Sequence, residues 1–178
     1  MPSLTCRWSR SNAIARSTAA SIYPLPDCAL TLVFGLLELL EDRGGREDGY
    51  KIARDLHFNF GDLLKVMKAA EILGFVSTPA GDAVLEPLGK QFLDAKINER
   101  KLLVREQLKK HSLFSYFIRL LHGTEDKSLT KETVLGHLAM LLPSEKPERQ
   151  FSTMVNWGRF AELFGYNKDE DRFYLDNE

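Results

Sequence analysis

The first half of the chain carries three helical patterns. Apolar residues recur every three or four positions between residues 30 and 40, which predicts an amphipathic helix that ends at Gly44-Gly45. A short helix is predicted from Asp48 to Leu56. The carboxylates of Asp27 and Asp62 are the predicted N-caps of the first and third helices. The third helix has an apolar stripe made of Leu63, Val66, Met67, Ala70 and Leu73.

The period then changes from that of a helix to that of short strands. Residues 75–78 and 83–85 are predicted to pair as an antiparallel hairpin around a Pro-Ala-Gly-Asp turn. Pro87 opens a fourth helix, because proline is tolerated in a first helical turn. Three helices and a hairpin are the order of a winged helix-turn-helix, in which the hairpin is the wing.

The second half of the chain repeats this order. One long helix is predicted from residue 98 to 121, and Thr130 is predicted to cap a second helix that Pro143 stops. A third helix starts at Ser144, and residues 163–175 form a second hairpin. The fold class is therefore predicted as mainly α with small β-hairpins, built as tandem winged-helix-like units.

The predicted units are residues 27–96 and 97–178. Residues 1–26 contain three arginines and no carboxylate, and they are predicted to be a disordered basic leader or linker. An import-targeting segment is the less favoured alternative. Cys6 and Cys28 have no spaced partners and are interpreted as reduced cytosolic thiols. No apolar run approaches the ~20 residues of a membrane span, so the chain is predicted to be cytoplasmic, without direct membrane insertion.

The sequence offers no support for an enzyme. The closest approach to a phosphate-binding loop is Leu88-Gly89-Lys90-Gln91, but Val84 stands where the first glycine belongs and Gln91 replaces the hydroxyl that binds magnesium. The four histidines have no neighbouring ligands at metal-binding spacing, and His111 is predicted to border a core. We therefore predict no catalytic residue, no cofactor and no metal.

Nucleic acid is a disfavoured partner, because phosphate contacts supply most of the affinity for DNA. The net charge is −1, the charges of the third helix cancel, and the turn of the first hairpin has no lysine or arginine. A basic cluster near residue 105 is interrupted by Glu99 and Glu106 and is interpreted as a solvated helix face. The cluster consists of Arg100, Lys101, Arg105, Lys109 and Lys110.

With enzyme activity and nucleic-acid binding disfavoured, the predicted partner is another protein. Aromatic residues and arginine are enriched at the hot spots of protein interfaces. Trp157, Arg159 and Phe160 are the predicted contact. For Trp157 and Phe160 the sequence leaves the choice between core and interface open. Phe58, Phe60 and Tyr166 are predicted to belong to the core.

Six blocks of the sequence, taken together, resemble a known family, the AAA-associated C-terminal domain. That domain is appended to ATP-binding subunits of ABC transporters of the nitrate/sulfonate/bicarbonate (taurine-like) type. The resemblance covers about Tyr23 to Leu175, and Glu86 stands where the family usually has threonine. The blocks are Tyr23–Asp27, Gly44–Asp48, Ala70–Phe75, Leu85–Lys90, Glu99–Leu108 and Asn156–Phe164, the last containing a distinctive Trp-Gly-Arg.

The resemblance implies a non-catalytic regulatory or accessory domain that docks on the ATP-binding subunit of such a transporter, at the inner face of the cell membrane. The family normally follows an ATPase domain, and none precedes it here; a stand-alone homologue, a split gene and a truncated reading frame stay open. A winged-helix transcription regulator is the main alternative. A sensor that holds a small molecule between the two units is a third hypothesis, and a homodimer is an alternative assembly.

Overall fold

The structure, a computed structural model, describes residues 21–176, so most of the predicted basic leader lies outside the described residues. The helices of the described part are α1 (Leu30–Asp42), α2 (Gly49–Asp55), α3 (Phe60–Ile72), α4 (Pro87–Asp94), α5 (Ile97–Lys110), α6 (Ser112–His122), α7 (Lys131–Leu141) and α8 (Pro147–Phe160). The strands are β1 (Arg46–Asp48), β2 (Val76–Ser77), β3 (Asp82–Leu85), β4 (Ser128–Thr130), β5 (Phe164–Asn167) and β6 (Arg172–Leu175). A mainly α fold with small β elements is confirmed.

One order of elements occurs twice: helix, strand, helix, helix, strand, strand. It runs from α1 to β3 and again from α6 to β6, with α4 and α5 between the two units. Each unit has a three-stranded antiparallel sheet with its last strand in the middle, in the orders β1-β3-β2 and β4-β6-β5. The boundary between residues 96 and 97 stays a prediction.

The first strand of each sheet is the part that the sequence analysis missed. β1 aligns Glu47 with Ala83, and β4 aligns Leu129 with Phe173. Both strands have three residues and are mostly polar, so neither shows an alternation long enough to predict a strand. β1 and β4 pair because the second strand of each hairpin, β3 or β6, has one edge with unpaired backbone groups.

The long helix predicted from residue 98 to 121 is wrong, because the chain breaks at His111. His111 has extended backbone angles (φ −74°, ψ 133°), and its Nδ1 accepts the backbone N–H of Leu113 at 3.3 Å to cap α6. Residues 98–121 contain no glycine or proline, so the helical pattern continues through the break. The start of α8 also differs, at Pro147 rather than Ser144.

Two of the predicted N-caps are wrong. Ala29, not Asp27, precedes α1, and its side chain has no oxygen to accept a hydrogen bond. Asn59, not Asp62, caps α3, with Oδ1 accepting a backbone N–H of the first turn at 2.9 Å. The cap predicted at Thr130 is confirmed, since its Oγ1 accepts a backbone N–H of α7 at 3.2 Å.

A single apolar core runs through both units, and the predicted stripe of α3 is buried in it. Phe34 of α1 lies where the units meet, with its ring centroid 4.6 Å from that of Phe92 and 5.0 Å from that of Phe160. Within the described residues, no helix is both long enough and apolar enough to cross a membrane. The largest fully buried side chains include Trp157, Phe75, Phe92, Phe114, Phe117, Phe164 and Phe173.

Candidate functional site

The segment before α1 is held between the two units, and we call residues 22–28 the strap. Leu25 is 2% exposed; its N–H donates to Oε1 of Gln150 and its C=O accepts from Nε2 of the same side chain, both at 2.9 Å. Gln150 lies on α8 and is also 2% exposed. The prediction of a disordered leader is therefore wrong for residues 22–26.

The two ends of the strap are bound by α6 at one end and by α8 and α3 at the other. The N–H of Tyr23 donates to Oγ of Ser112 at the start of α6, at 3.1 Å. The C=O of Cys28 accepts from Nε1 of Trp157 at 2.9 Å, and the Cys28 Sγ lies 3.9 Å from the backbone oxygen of Lys65 on α3. The strap thus contacts helices of both units.

The Cys28 thiol is a structural group. Burial, together with the negative charge of Asp27 beside it, raises the pKa of Cys28 to about 11. The thiolate is the reactive form of cysteine, so this thiol is protonated and unreactive at neutral pH.

The three residues predicted as a protein contact lie at different depths. Trp157 is fully buried, so of the two alternatives, core and interface, the core is the one observed. Phe160 is half-buried against Phe34. Arg159 is exposed on α8, so of the three it is the one most available to a partner.

The prediction that the other aromatic residues belong to the core is only partly right. Phe58 is 37% exposed, so its assignment to the core is wrong. Phe60 and Tyr166 are half-buried at the edge of the core. The ring of Phe60 stacks on that of the exposed Tyr50, with centroids 4.2 Å apart.

Arg159 lines a groove between α8, the start of α7 and the second hairpin, and we call it the Arg159 groove. Its volume is about 440 Å³. Its charged side chains are those of Arg159, Lys131 and Lys168, against the single carboxylate of Glu148. The lysine from α7 lies with its Nζ 5.8 Å from the ring centroid of Phe151, within the range of a cation–π contact.

The basic cluster of α5 is not the solvated face that the sequence analysis predicts. Arg100 donates to two carbonyl oxygens at the end of α4, at 2.6 and 2.9 Å. Arg105 donates to the carbonyl oxygens of Ala161 and Glu162 at the end of α8, at 2.7 and 2.8 Å. The last turn of a helix leaves such carbonyls without intrahelical donors. The two arginines therefore attach α5 to the ends of two other helices.

The outward face of α3 carries charges that cancel within the helix. Nζ of Lys65 lies 2.7 Å from a carboxylate oxygen of Asp62, and Nζ of Lys68 lies 3.1 Å from one of Glu71. Glu71 also accepts a hydrogen bond from the hydroxyl of Thr78 at the first hairpin. The face therefore offers little net positive charge.

The segment that comes closest to a phosphate loop has a packing role. Gly89 lies in α4, where a Cβ would be 2.4 Å from the carbonyl oxygen of Phe75, so glycine lets α4 approach that backbone.

The histidines have structural surroundings. His111 is partly buried, which lowers its pKa, and His137 lies with Nδ1 2.7 Å from the hydroxyl of Tyr116. Within residues 21–176, no group of three His, Cys, Asp or Glu side chains could hold a metal ion.

The roles of Gln150 and Arg105 were not predicted from the sequence. Gln150 is in helical register with Met154 and Trp157 on the buried face of α8. A polar residue in such a register indicates a buried hydrogen bond, because an unpaired polar group in a core is costly. Arg105 carries no comparable signal, since the carbonyls it binds lie 56 and 57 residues away.

Comparison with models of protein families matches residues 50–167 to the C-terminal AAA-associated domain. The match covers about two thirds of the chain, from α2 into the second hairpin, and includes α8 with Arg159. The family that the sequence resembles is thereby confirmed. Neither the curated proteins nor the solved structures give a match.

Proposed function

The chain belongs to the family of C-terminal AAA-associated domains, and on that premise we propose that it is a non-catalytic accessory domain of an ATPase that docks on the ATP-binding subunit of an ABC transporter. The family match is the observation that carries the proposal, because it links the chain to ATPases. The blocks of sequence described above favour a transporter of the nitrate/sulfonate/bicarbonate type. The chain would then act in the cytoplasm, held at the inner face of the cell membrane by this partner.

The Arg159 groove is the proposed docking surface. Arg159 is exposed and forms no ion pair with a described residue. Three cations face one carboxylate in the groove, which suits an acidic patch on the partner. The rings of Phe151 and Tyr166 meet edge to face in its wall, with centroids 5.1 Å apart. Arginine and rigid aromatic rings supply much of the binding energy of protein interfaces.

Docking would regulate the ATPase through a difference in affinity. A bound domain shifts an equilibrium between two states of its partner only as far as it binds one state better than the other. Docking of this kind requires no contact between the chain and the nucleotide. A change in the rate of ATP hydrolysis on binding is therefore the expected sign of regulation.

A winged-helix regulator that binds DNA is the second candidate. The repeated order of elements, each with a three-stranded sheet, favours it, because this is the arrangement of a winged helix. In such a protein α3 and α8 would enter the major groove. The ion pairs of Lys65 and Lys68 on α3, and the carboxylate of Glu148 in the Arg159 groove, place this candidate second. Retardation of DNA in a gel at low salt, lost as salt is raised, would favour it.

Co-purification of the chain with an ATP-binding subunit of a nitrate/sulfonate/bicarbonate-type ABC transporter from the same organism tests the docking proposal. We expect a complex that Arg159→Glu weakens and Lys90→Glu does not, since Lys90 is exposed on α4 outside the groove. Circular dichroism checks that both variants remain folded. Failure to capture the subunit would contradict the proposal. Gel filtration that shows a dimer of the chain alone would favour a homodimer instead.

A further inference from the structure

A second groove lies between the strap, α3 and the start of α8, and we call it the strap groove. Its volume is about 640 Å³, which is in the range of cavities that hold small molecules. Leu25 and Gln150, which bind each other through two hydrogen bonds, form part of its wall. Because both units and the strap contribute to it, a molecule bound here would touch all three.

Cations from two helices converge on the strap groove. Lys65 and Lys68 come from α3 and Arg149 comes from the first turn of α8, against the carboxylates of Asp27 and Glu145. The lysines are paired within their own helix, whereas Arg149 forms no ion pair with a described residue. A guanidinium facing a cavity without a partner of opposite charge is suited to an anionic ligand.

The charges of Lys65 and Arg149 repel each other across the groove. The hydrogen bond that Lys65 donates to Asp62 raises the pKa of Lys65, as does the negative charge of Asp27, and the positive charge of Arg149 acts against that rise. An anion placed between these two cations would remove the repulsion.

The rest of the wall is apolar or carries a neutral donor. Leu25, Ile72 and Pro24 line the groove with aliphatic surface. His111 uses Nδ1 to accept a backbone N–H, so its neutral ring carries its proton on Nε2. Burial lowers the pKa of His111, which keeps the ring neutral at neutral pH. The ring of Tyr23, 63% exposed, stands at the rim.

We propose that the strap groove binds a small organic carboxylate with an apolar body. The guanidinium of Arg149 takes the carboxylate through two parallel hydrogen bonds, and the apolar body covers Pro24 and Ile72. This site goes beyond the proposed docking and does not depend on the ATPase. Occupancy holds the strap against both units, so the ligand raises the stability of the fold as its concentration exceeds the dissociation constant.

Isothermal titration of the full chain with octanoate, butyrate and 1-octanol tests the site. We expect octanoate to bind more tightly than butyrate, because it buries more methylene groups, and 1-octanol to bind at least about tenfold more weakly, because it lacks the charge. In NMR spectra, octanoate should shift the side-chain NH₂ signals of Gln150. Arg149→Gln should weaken octanoate binding about tenfold or more.

Arg119→Gln is the matched control, since Arg119 is an exposed arginine on α6 outside the strap groove. It should leave the affinity for octanoate unchanged. Equal affinities for octanoate and 1-octanol, or wild-type affinity in a folded Arg149→Gln variant, would overturn the proposal. Shifts confined to signals outside the strap, α3 and α8 would also overturn it. Loss of the docking partner's binding would leave these results unaffected, so the two proposals fail separately.

Discussion

Gln150 and Leu25, 125 residues apart in the chain, exchange two hydrogen bonds of 2.9 Å, in which a side-chain amide satisfies both backbone groups of a buried residue. Buried backbone N–H and C=O groups need partners, and the strap has no neighbouring strand to supply them. The amide of Gln150 takes that place. The middle of the strap is therefore held to α8 by Gln150, and its end at Cys28 by Trp157 of the same helix.

Gln150→Ala should lower the free energy of unfolding by about 2–4 kcal/mol, because it leaves both backbone groups of Leu25 buried without a partner. Urea denaturation measures the change. Gln91→Ala is the control, since Gln91 is exposed on α4, and its effect should stay within about 0.5 kcal/mol. Equal effects of the two substitutions would contradict the clamped strap.

Two helical glycines should respond to alanine with opposite signs. Gly89→Ala places a Cβ 2.4 Å from the carbonyl oxygen of Phe75 and should destabilise the fold by about 1–3 kcal/mol. Gly136→Ala meets no atom within 4 Å in α7 and should stabilise it by about 0.5–1 kcal/mol. Thermal denaturation of both variants checks the signs. A stabilising Gly89→Ala would show that α4 does not pack as described.

Arg105→Ala should cost about 1.5–3 kcal/mol of stability, because the variant loses both hydrogen bonds to the end of α8. One of the two carbonyls belongs to Glu162, whose φ of 52° is left-handed and unfavourable for a residue with a Cβ. Arg105→Lys should recover only part of the loss, since one ammonium does not reproduce the fork of the guanidinium. Lys109→Ala, on the exposed face of α5, should have little effect in the same urea titration.

Cys28 should react slowly with a thiol reagent in the folded chain. Its pKa is raised from 9.0 to about 11, so at neutral pH its thiolate fraction is about 100-fold below that of an unperturbed thiol. The rate is measured with Cys6→Ser, in the presence and absence of urea. A native rate equal to the unfolded rate would contradict the burial of Cys28.

The raised pKa of Cys28 also predicts that the stability of the fold depends on pH. A pKa that is higher in the folded than in the unfolded chain favours the folded state while the thiol is protonated. This contribution is therefore complete below pH 9 and is lost as the pH rises towards 11. The pH dependence should be reduced in Cys28→Ser at equal denaturant.

Periodicity was sufficient to predict the stripe of α3, both hairpins and the recurrence of helices followed by a hairpin, because each depends on neighbouring residues. Contacts between distant residues escaped prediction. The strap depends on an amide that follows it by 125 residues. The break at His111 has a local cap, but no glycine or proline marks it in the sequence. For the candidate site, the sequence pointed to α8 and to Arg159, whereas the burial of Trp157 required the assembled core.

The rate of ATP hydrolysis by the ATP-binding subunit, titrated with the chain, tests the central claim most directly. We predict a saturable change in rate with the wild-type chain, and a half-saturating concentration about tenfold higher or more with Arg159→Glu. A rate that stays constant across the titration while the chain remains folded would contradict the claim, as would an Arg159→Glu curve that superimposes on that of the wild type.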